Sequence, residues 1–301
     1  MFDRLILTEE LADCRGDLVA ARGTVLSPES IAEAAARAPR ITRRPLAETP
    51  LAADVDVPLG EERYRFLFQP AAVRDAVRRL LLATALPDAL FAELLALRRA
   101  GSPIHGHAFA TAAIAVRMLL GVVGEARGVP ELAGAALLHD IGMRHVPPYL
   151  AHLRDKLGRD EAERVAAHPL LGAYHLARTL GPHPAVQAAL GHHWRCGQGY
   201  PSLVSTPSRS MEVVSVASAF AALTQPRPYR SAAYDARGAA DVLVQEAMSQ
   251  QADANTVKLL VHALRGGAGD PRQIRFGRER EGHAPDVNRH APIAAPSRSP
   301  V

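Results

Sequence analysis

Cysteine is nearly absent: Cys14 and Cys196 are the only two in 301 residues, they stand far apart, and neither has a CxxC partner. That excludes a disulfide framework and a zinc ribbon and fits a reducing compartment. No Lys/Arg block occurs either. The formal charge of +4 comes from arginines scattered along the chain, so no DNA or RNA partner is expected. The opening MFDRLILTEELAD lacks the basic stretch and apolar run of a signal peptide. No window reaches about 18 uncharged apolar residues, because Arg117 splits the best candidate, and no membrane insertion is expected. A cytoplasmic protein is the expectation. No repeat of fixed period occurs, which sets solenoids aside.

What is present is enough apolar material for a real core, 48% hydrophobic against 22% charged residues. The first forty residues read as a small strand-turn-helix unit. LILTEELAD and LVAARGTVL alternate as strands do, Arg15-Gly16-Asp17 turns between them, and Ser27-Pro28-Glu29 opens a helix. From Arg43 to Pro70 the text is punctuated by proline and reads as a connector that can hold short strands. After Ala71 apolar residues recur three and four apart to about Arg265, which predicts a helical bundle. From Gly266 the composition turns to Gly, Pro, Arg and Ser, with too little apolar surface to offset the entropy of ordering, and a disordered tail is expected. The organisation is therefore a small α+β leader with its linker over 1–69, a mainly α bundle over 70–265 and a tail over 266–301.

Ten of the thirteen histidines lie between His105 and His193, a concentration that invites a test for metal. At its centre stands Leu137-Leu138-His139-Asp140-Ile141-Gly142. Ala135 to Leu138 read as the buried end of a helix that Gly142 is placed to cap, so His139 and Asp140 emerge from the core at its last turn. An adjacent imidazole and carboxylate can bind one cation together. The second carboxylate oxygen of Asp140 can reach another, and two metals about 3.5–4 Å apart are a standard device for phosphoester hydrolysis. His107 upstream, His168 downstream and the pair His192-His193 keep company with this centre.

The text around these residues resembles the HD superfamily of metal-dependent phosphohydrolases, and more closely its HD-GYP branch. ALLHDIG, HPLLGAYHL, GHH, GQGYP and ALTQPRPYR stand in that family's order, over about Ile104 to Leu264. The resemblance implies an HD-domain helical bundle that hydrolyses cyclic di-GMP or a related cyclic dinucleotide. It implies one or two divalent ions, iron or manganese, held by His107, His139, Asp140, His168, His192 and His193, with His139 and Asp140 as the catalytic pair. Arg227 and Arg230 fall on phosphate-contacting positions, where guanidinium suits bidentate binding, and Tyr200 is placed to stack on or hydrogen-bond a nucleotide. A second reading of Pro-Arg-Pro-Tyr-Arg is that it shapes a helix-to-loop turn.

The chain also departs from the family. Pro103 stands where a three-metal member has Glu, Met143 replaces the Lys of HDIGK, and Ser218 and Ala221 replace aspartates. Cys196 falls where the family has the Asp of DGxGYP, in a shortened loop beside Trp194. The lost charges argue against a third metal, and the missing lysine removes a cation that would stabilise a developing anion, so slow turnover is expected. The alternative is an inactive module that works in cyclic di-GMP signalling by binding nucleotide or a signalling partner protein. His105, His145, His152, His175 and His183 match no ligand position and read as surface or capping residues.

Overall fold

The structure, a computed structural model, describes residues 4–195, 198–201 and 207–289. Cys196 lies outside the described residues. The leader forms two antiparallel strand pairs: β1 (Leu5–Ile6) with β4 (Val25–Leu26), and β2 (Leu11–Ala12) with β3 (Leu18–Ala20). Gly16 makes the turn between β2 and β3 at φ +87°, a backbone region that costs glycine nothing. Helix α1 (Pro28–Ala36) starts as its sequence predicts, in a capping box in which Ser27 and Ser30 exchange side chain to backbone hydrogen bonds. Its packing partner lies far along the chain, in helix α9 described below.

The stretch read as a connector is more structured than its prolines suggest. After β5 (Arg44–Pro45), which pairs with β6 (Ala85–Leu86), it winds through single turns and the short helices α2 (Asp56–Gly60) and α3 (Arg65–Phe68). Leu46, Leu51, Val55, Tyr64, Leu67 and Phe68 are buried in the same hydrophobic core as the bundle. Helices this short show no period of 3.6 in sequence, and their stability comes from that burial.

The bundle follows: α4 (Ala71–Leu82), α5 (Asp88–Arg99), α6 (Pro103–Val123), α7 (Val129–Leu138), α8 (Arg159–Ala166), α9 (His168–Leu180), α10 (Pro184–Gly191), α11 (Arg209–Thr224), α12 (Ala236–Met248) and α13 (Ala254–Leu264). A short strand pair, β7 (Trp194–Arg195) and β8 (Gln198–Gly199), lies between α10 and α11. Helix α6 is the central element, with α4, α7, α11 and α13 around it. Ser102 caps its first turn and Pro103 occupies the position where a missing N–H costs nothing. Ala108, Ala112, Ala113 and Ala115 are buried along it, small enough for close approach of its neighbours.

By length and composition α6 could cross a membrane, but 67% of that apolar window is buried inside the protein. Arg117 explains how a charge sits in such a helix. It is 2% exposed, and its Nε and Nη2 donate to the carbonyls of Leu67 at 2.9 Å and Ala263 at 3.0 Å. These are end carbonyls of α3 and α13, which lack partners within their own helices.

Residues 266–289, read from composition as part of a disordered tail, carry one short 3-10 turn (Pro271–Gln273) and hold onto the bundle, while 290–301 lie outside the described residues. Asp241 accepts the N–H groups of Glu281 and Gly282, and the chain near Val287 pairs with Ser231 and Tyr229. Polar backbone bonds do this, which a reading based on apolar content misses.

Candidate metal centre

Three of the histidines share one local device. His139 directly follows α7, His192 directly follows α10, and His168 opens α9 two residues past the end of α8. Each turns its Nδ1–H back onto a carbonyl three or four residues earlier: Ala136 at 2.7 Å, Val165 at 2.6 Å, and Ala188 and Ala189 at 3.1 Å. The carbonyls near these helix ends thereby gain an imidazole donor, in addition to the His192 main-chain N–H that Ala188 already accepts at 3.0 Å. In exchange, each ring is fixed in the tautomer that presents the Nε2 lone pair forward.

Those lone pairs meet at Asp140. Its Oδ1 stands 3.2 Å from His168 Nε2 and 3.1 Å from His192 Nε2, and its Oδ2 stands 3.5 Å from His139 Nε2 and 3.7 Å from His107 Nε2. Two donor groups result, each with its ligand atoms within 4.8 Å of one another: His107, His139 and Asp140, and Asp140, His168, His192 and His193. They share the one carboxylate. All six residues named from the sequence therefore converge.

Burial decides the charge states. His107 is lowered to about 3 by desolvation, with the Arg227 guanidinium adding to it, and His192 is lowered to about 4 by desolvation. Burial alone would raise the Asp140 carboxyl, but the imidazoles of His139, His168 and His192 around it hold it well below the usual range. Burial thus disfavours the charged forms of His107 and His192 beside an ionised Asp140 carboxylate. His168 Nε2 and His192 Nε2 face each other at 3.2 Å with both Nδ1 protons already engaged, an arrangement that a cation between them would relieve. The donor set fits a divalent metal, since imidazole and carboxylate suit iron and manganese.

The departures have places too. Ser218 on α11 puts its Oγ 3.2 Å from His107 Nε2 and 3.1 Å from His139 Nε2, so a neutral hydroxyl stands where the resemblance calls for an anionic ligand. One hydroxyl proton serves only one of these two acceptors. Pro103 is exposed at the start of α6, and Met143 packs partly buried against the core. His107 Nδ1 bonds Gln225 Oε1 at 3.1 Å, a partner for which the sequence carries no signal.

The residues named for substrate separate. Tyr200 is buried and stacks on His193, with ring centres 4.5 Å apart and planes 19° from parallel. Arg227 lies close enough to His107 to depress it, and its buried Nε has no hydrogen-bond partner among the described residues. Arg230 points elsewhere. Its Nη1 donates to the carbonyls of Ala222 at 2.9 Å and Leu223 at 3.2 Å, and its guanidinium lies over Tyr229 and Tyr234. The turn-shaping reading fits Arg230, whose guanidinium braces the end of α11, where the Leu223 carbonyl also accepts the Tyr234 N–H at 3.1 Å.

Gly142 is not the cap expected of it. Helix α7 ends at Leu138, and Gly142 lies in a 3-10 turn, Ile141–His145, pressed on α9. A Cβ there would stand 2.0 Å from the His168 carbonyl oxygen and 2.6 Å from Gly172 N. Only glycine allows this approach. Of the remaining histidines, read as surface or capping residues, some fit that reading and some do not. His175 and His183 are buried and His145 is partly so, while His152 is exposed. His183 does act as a cap, its Nδ1 accepting the Ala185 N–H.

Among known proteins, residues 83–256 match the model of a family described as HD domain. The 3'3'-cGAMP-specific phosphodiesterase 1 of Vibrio cholerae serotype O1 is 36% identical over 100 residues, which is 31% of this chain and 22% of that protein. The cyclic di-GMP phosphodiesterase response regulator RpfG of Xanthomonas campestris pv. campestris is 34% identical over 134 residues, 40% of this chain and 35% of that one. The cyclic di-GMP phosphodiesterase PdeB of Borreliella burgdorferi is 25% identical over 138 residues, 44% and 36% of the two chains. Each match spans about a third or less of the relative's length. A solved structure, Bd1817, an HDG"Y"P protein from Bdellovibrio bacteriovorus, covers 88% of this chain and 94% of its own at 14% identity and a TM-score of 0.45.

Proposed function

The chain belongs to the HD domain family, and from that premise we propose that it is a metal-dependent phosphohydrolase acting on cyclic di-GMP or a related cyclic dinucleotide, with weakened turnover. The observation that carries this reading is the convergence of four Nε2 lone pairs on the two oxygens of Asp140. His107, His139 and Asp140 would hold one ion, and Asp140, His168, His192 and His193 a second. A divalent cation, when bound, supplies Lewis acidity for attack at phosphorus.

The chain's own residues supply position and charge. The Nδ1 anchors of His139, His168 and His192 hold the donor atoms in place before anything binds, so little ordering cost falls on binding. Arg227, with its unengaged Nε beside His107, would take a phosphate oxygen. Arg230 braces the loop that carries Arg227. Tyr200, stacked on His193, would keep that imidazole in register and present its ring to a base. Met143 brings no cation to the site, and Ser218 brings no charge to His107 and His139, which is why turnover would be slow. The relatives' names fit action on a cyclic dinucleotide.

The neutral Ser218 and Met143 also support a second reading, an inactive module that binds cyclic dinucleotide or a signalling partner protein. One experiment separates them: cyclic di-GMP and 3'3'-cGAMP hydrolysis by anaerobically purified protein with added iron or manganese, products resolved by chromatography, beside Asp140→Ala. Linear dinucleotide or mononucleotide formed only by the intact protein supports the hydrolase. No product from metal-loaded protein overturns it in favour of the binding module.

A further inference from the structure

Beyond Asp140, at the far end of the same 3-10 turn, Arg144 enters a second buried polar cluster that the proposed reaction does not use. Its partner is Glu93 on α5, a carboxylate 1% exposed in a helix whose text, DALFAELLALRR, gives no hint of a buried charge. Arg144 Nε stands 2.6 Å from Glu93 Oε2. Glu93 Oε1 accepts the main-chain N–H of Cys14 at 2.7 Å and lies 3.9 Å from His175 Nε2. Arg144 Nη2 donates to the Ala12 carbonyl. One ion pair thus joins α5, the turn after Asp140, and the β2–β3 end of the leader.

The turn is stiff enough to transmit what happens at that pair. Met143 N–H donates to the Asp140 carbonyl at 2.9 Å, and Gly142 lies backbone to backbone on His168 and Gly172, with no side chain between them to give. Movement of Arg144 therefore moves the segments that carry Asp140 and His168. An isolated carboxylate as deeply buried as Glu93 is costly, so Arg144 and the Cys14 N–H are conditions for its being there.

We propose that Glu93 and Arg144 are positioning residues that couple docking of the N-terminal strand unit to the geometry of the Asp140 donor set, so that loosening the unit weakens metal binding. The proposal rests on the reading of that set as a metal centre. Thermodynamic reciprocity then requires that metal tighten the leader.

The test uses the full chain with Mn²⁺ as probe, calorimetry for affinity and amide hydrogen exchange for the leader. In the wild type, saturating Mn²⁺ slows exchange in residues 11–20. Glu93→Gln keeps the shape and an acceptor for Cys14 but removes the charge; it and Arg144→Met weaken Mn²⁺ binding about tenfold, the lower end for a group that supports a ligand from behind. Both abolish the Mn²⁺ effect on residues 11–20, and Arg144→Lys recovers most of the affinity. Faster leader exchange with unchanged Mn²⁺ affinity would reduce the pair to a structural prop and overturn the proposal. So would a wild-type leader indifferent to Mn²⁺, a result that needs no variant to fold. A wild type that binds no Mn²⁺ overturns the metal reading itself and the proposal with it.

Discussion

Replacing Ser218 by Asp gives a perturbation whose two faces can be worked out from the distances at the site. Ser218 Oγ stands 3.1 Å from His139 Nε2, which stands 3.5 Å from Asp140 Oδ2. A carboxylate at 218 would therefore lie within about 6 Å of the one at 140, where two like charges at an effective dielectric near 20 repel by about 3 kcal/mol. Without metal that repulsion has no outlet except proton uptake, so Ser218→Asp should be less stable than wild type by about 2–3 kcal/mol in chelator, roughly a 5 °C fall in Tm. With metal the sign reverses. The added anion becomes a ligand to the His107, His139 and Asp140 set, and Mn²⁺ affinity should rise by one to two orders of magnitude, about 1.4–2.8 kcal/mol. Thermal unfolding with chelator and across a Mn²⁺ titration measures both effects on one sample. A variant as stable as wild type in chelator, or one that binds Mn²⁺ no more tightly, would refute the placement of Ser218 as the vacated ligand position.

Gly142→Ala forces a methyl onto the His168 carbonyl oxygen, a backbone atom that cannot step aside, so a loss of about 3 kcal/mol or more in urea denaturation is expected together with weakened metal binding. Arg117→Met removes donors from the Leu67 and Ala263 carbonyls and should cost about 2 kcal/mol, read as a lower urea midpoint with an unchanged slope. For pH, His107 and His145 are lowered to about 3, and His175, His183 and His192 to about 4, all by burial first, from the ordinary 6.5. Because the folded values lie below the unfolded one, the unfolded chain takes up protons first. Their stabilisation is whole above pH 6.5 and lost as pH falls from 6.5 toward 4 and 3. Urea midpoints of the metal-free protein should drop steeply across that window, and a flat profile would contradict the burial of these rings.

The residues proposed as ligands stood out in the sequence because metal chemistry admits few side-chain types, and His107, His139, Asp140, His168, His192 and His193 carry both the type and the order. Their Nδ1 anchors were not, since the partners are carbonyls that every residue owns. Arg227 and Arg230 look alike in the text, and only the end of α11 tells them apart by offering its carbonyls to one. Glu93 was hidden for the opposite reason: an acidic residue in an amphipathic helix reads as solvated, and its burial depends on Arg144 and Cys14, far off in sequence. The bundle followed from its 3.6-residue period, whereas α2 and α3 are too short to show one.

The sharing of Asp140 by both donor groups has a consequence for how the protein would experience its surroundings. A first ion that engages this carboxylate leaves less negative charge for a second, so successive loading steps would differ in strength instead of occurring together. At limiting supply the population would then be mostly singly loaded, filling the second position only when metal is plentiful. Occupancy of the two donor groups would then be graded by metal availability, with the second group responding over a higher range of concentration than the first.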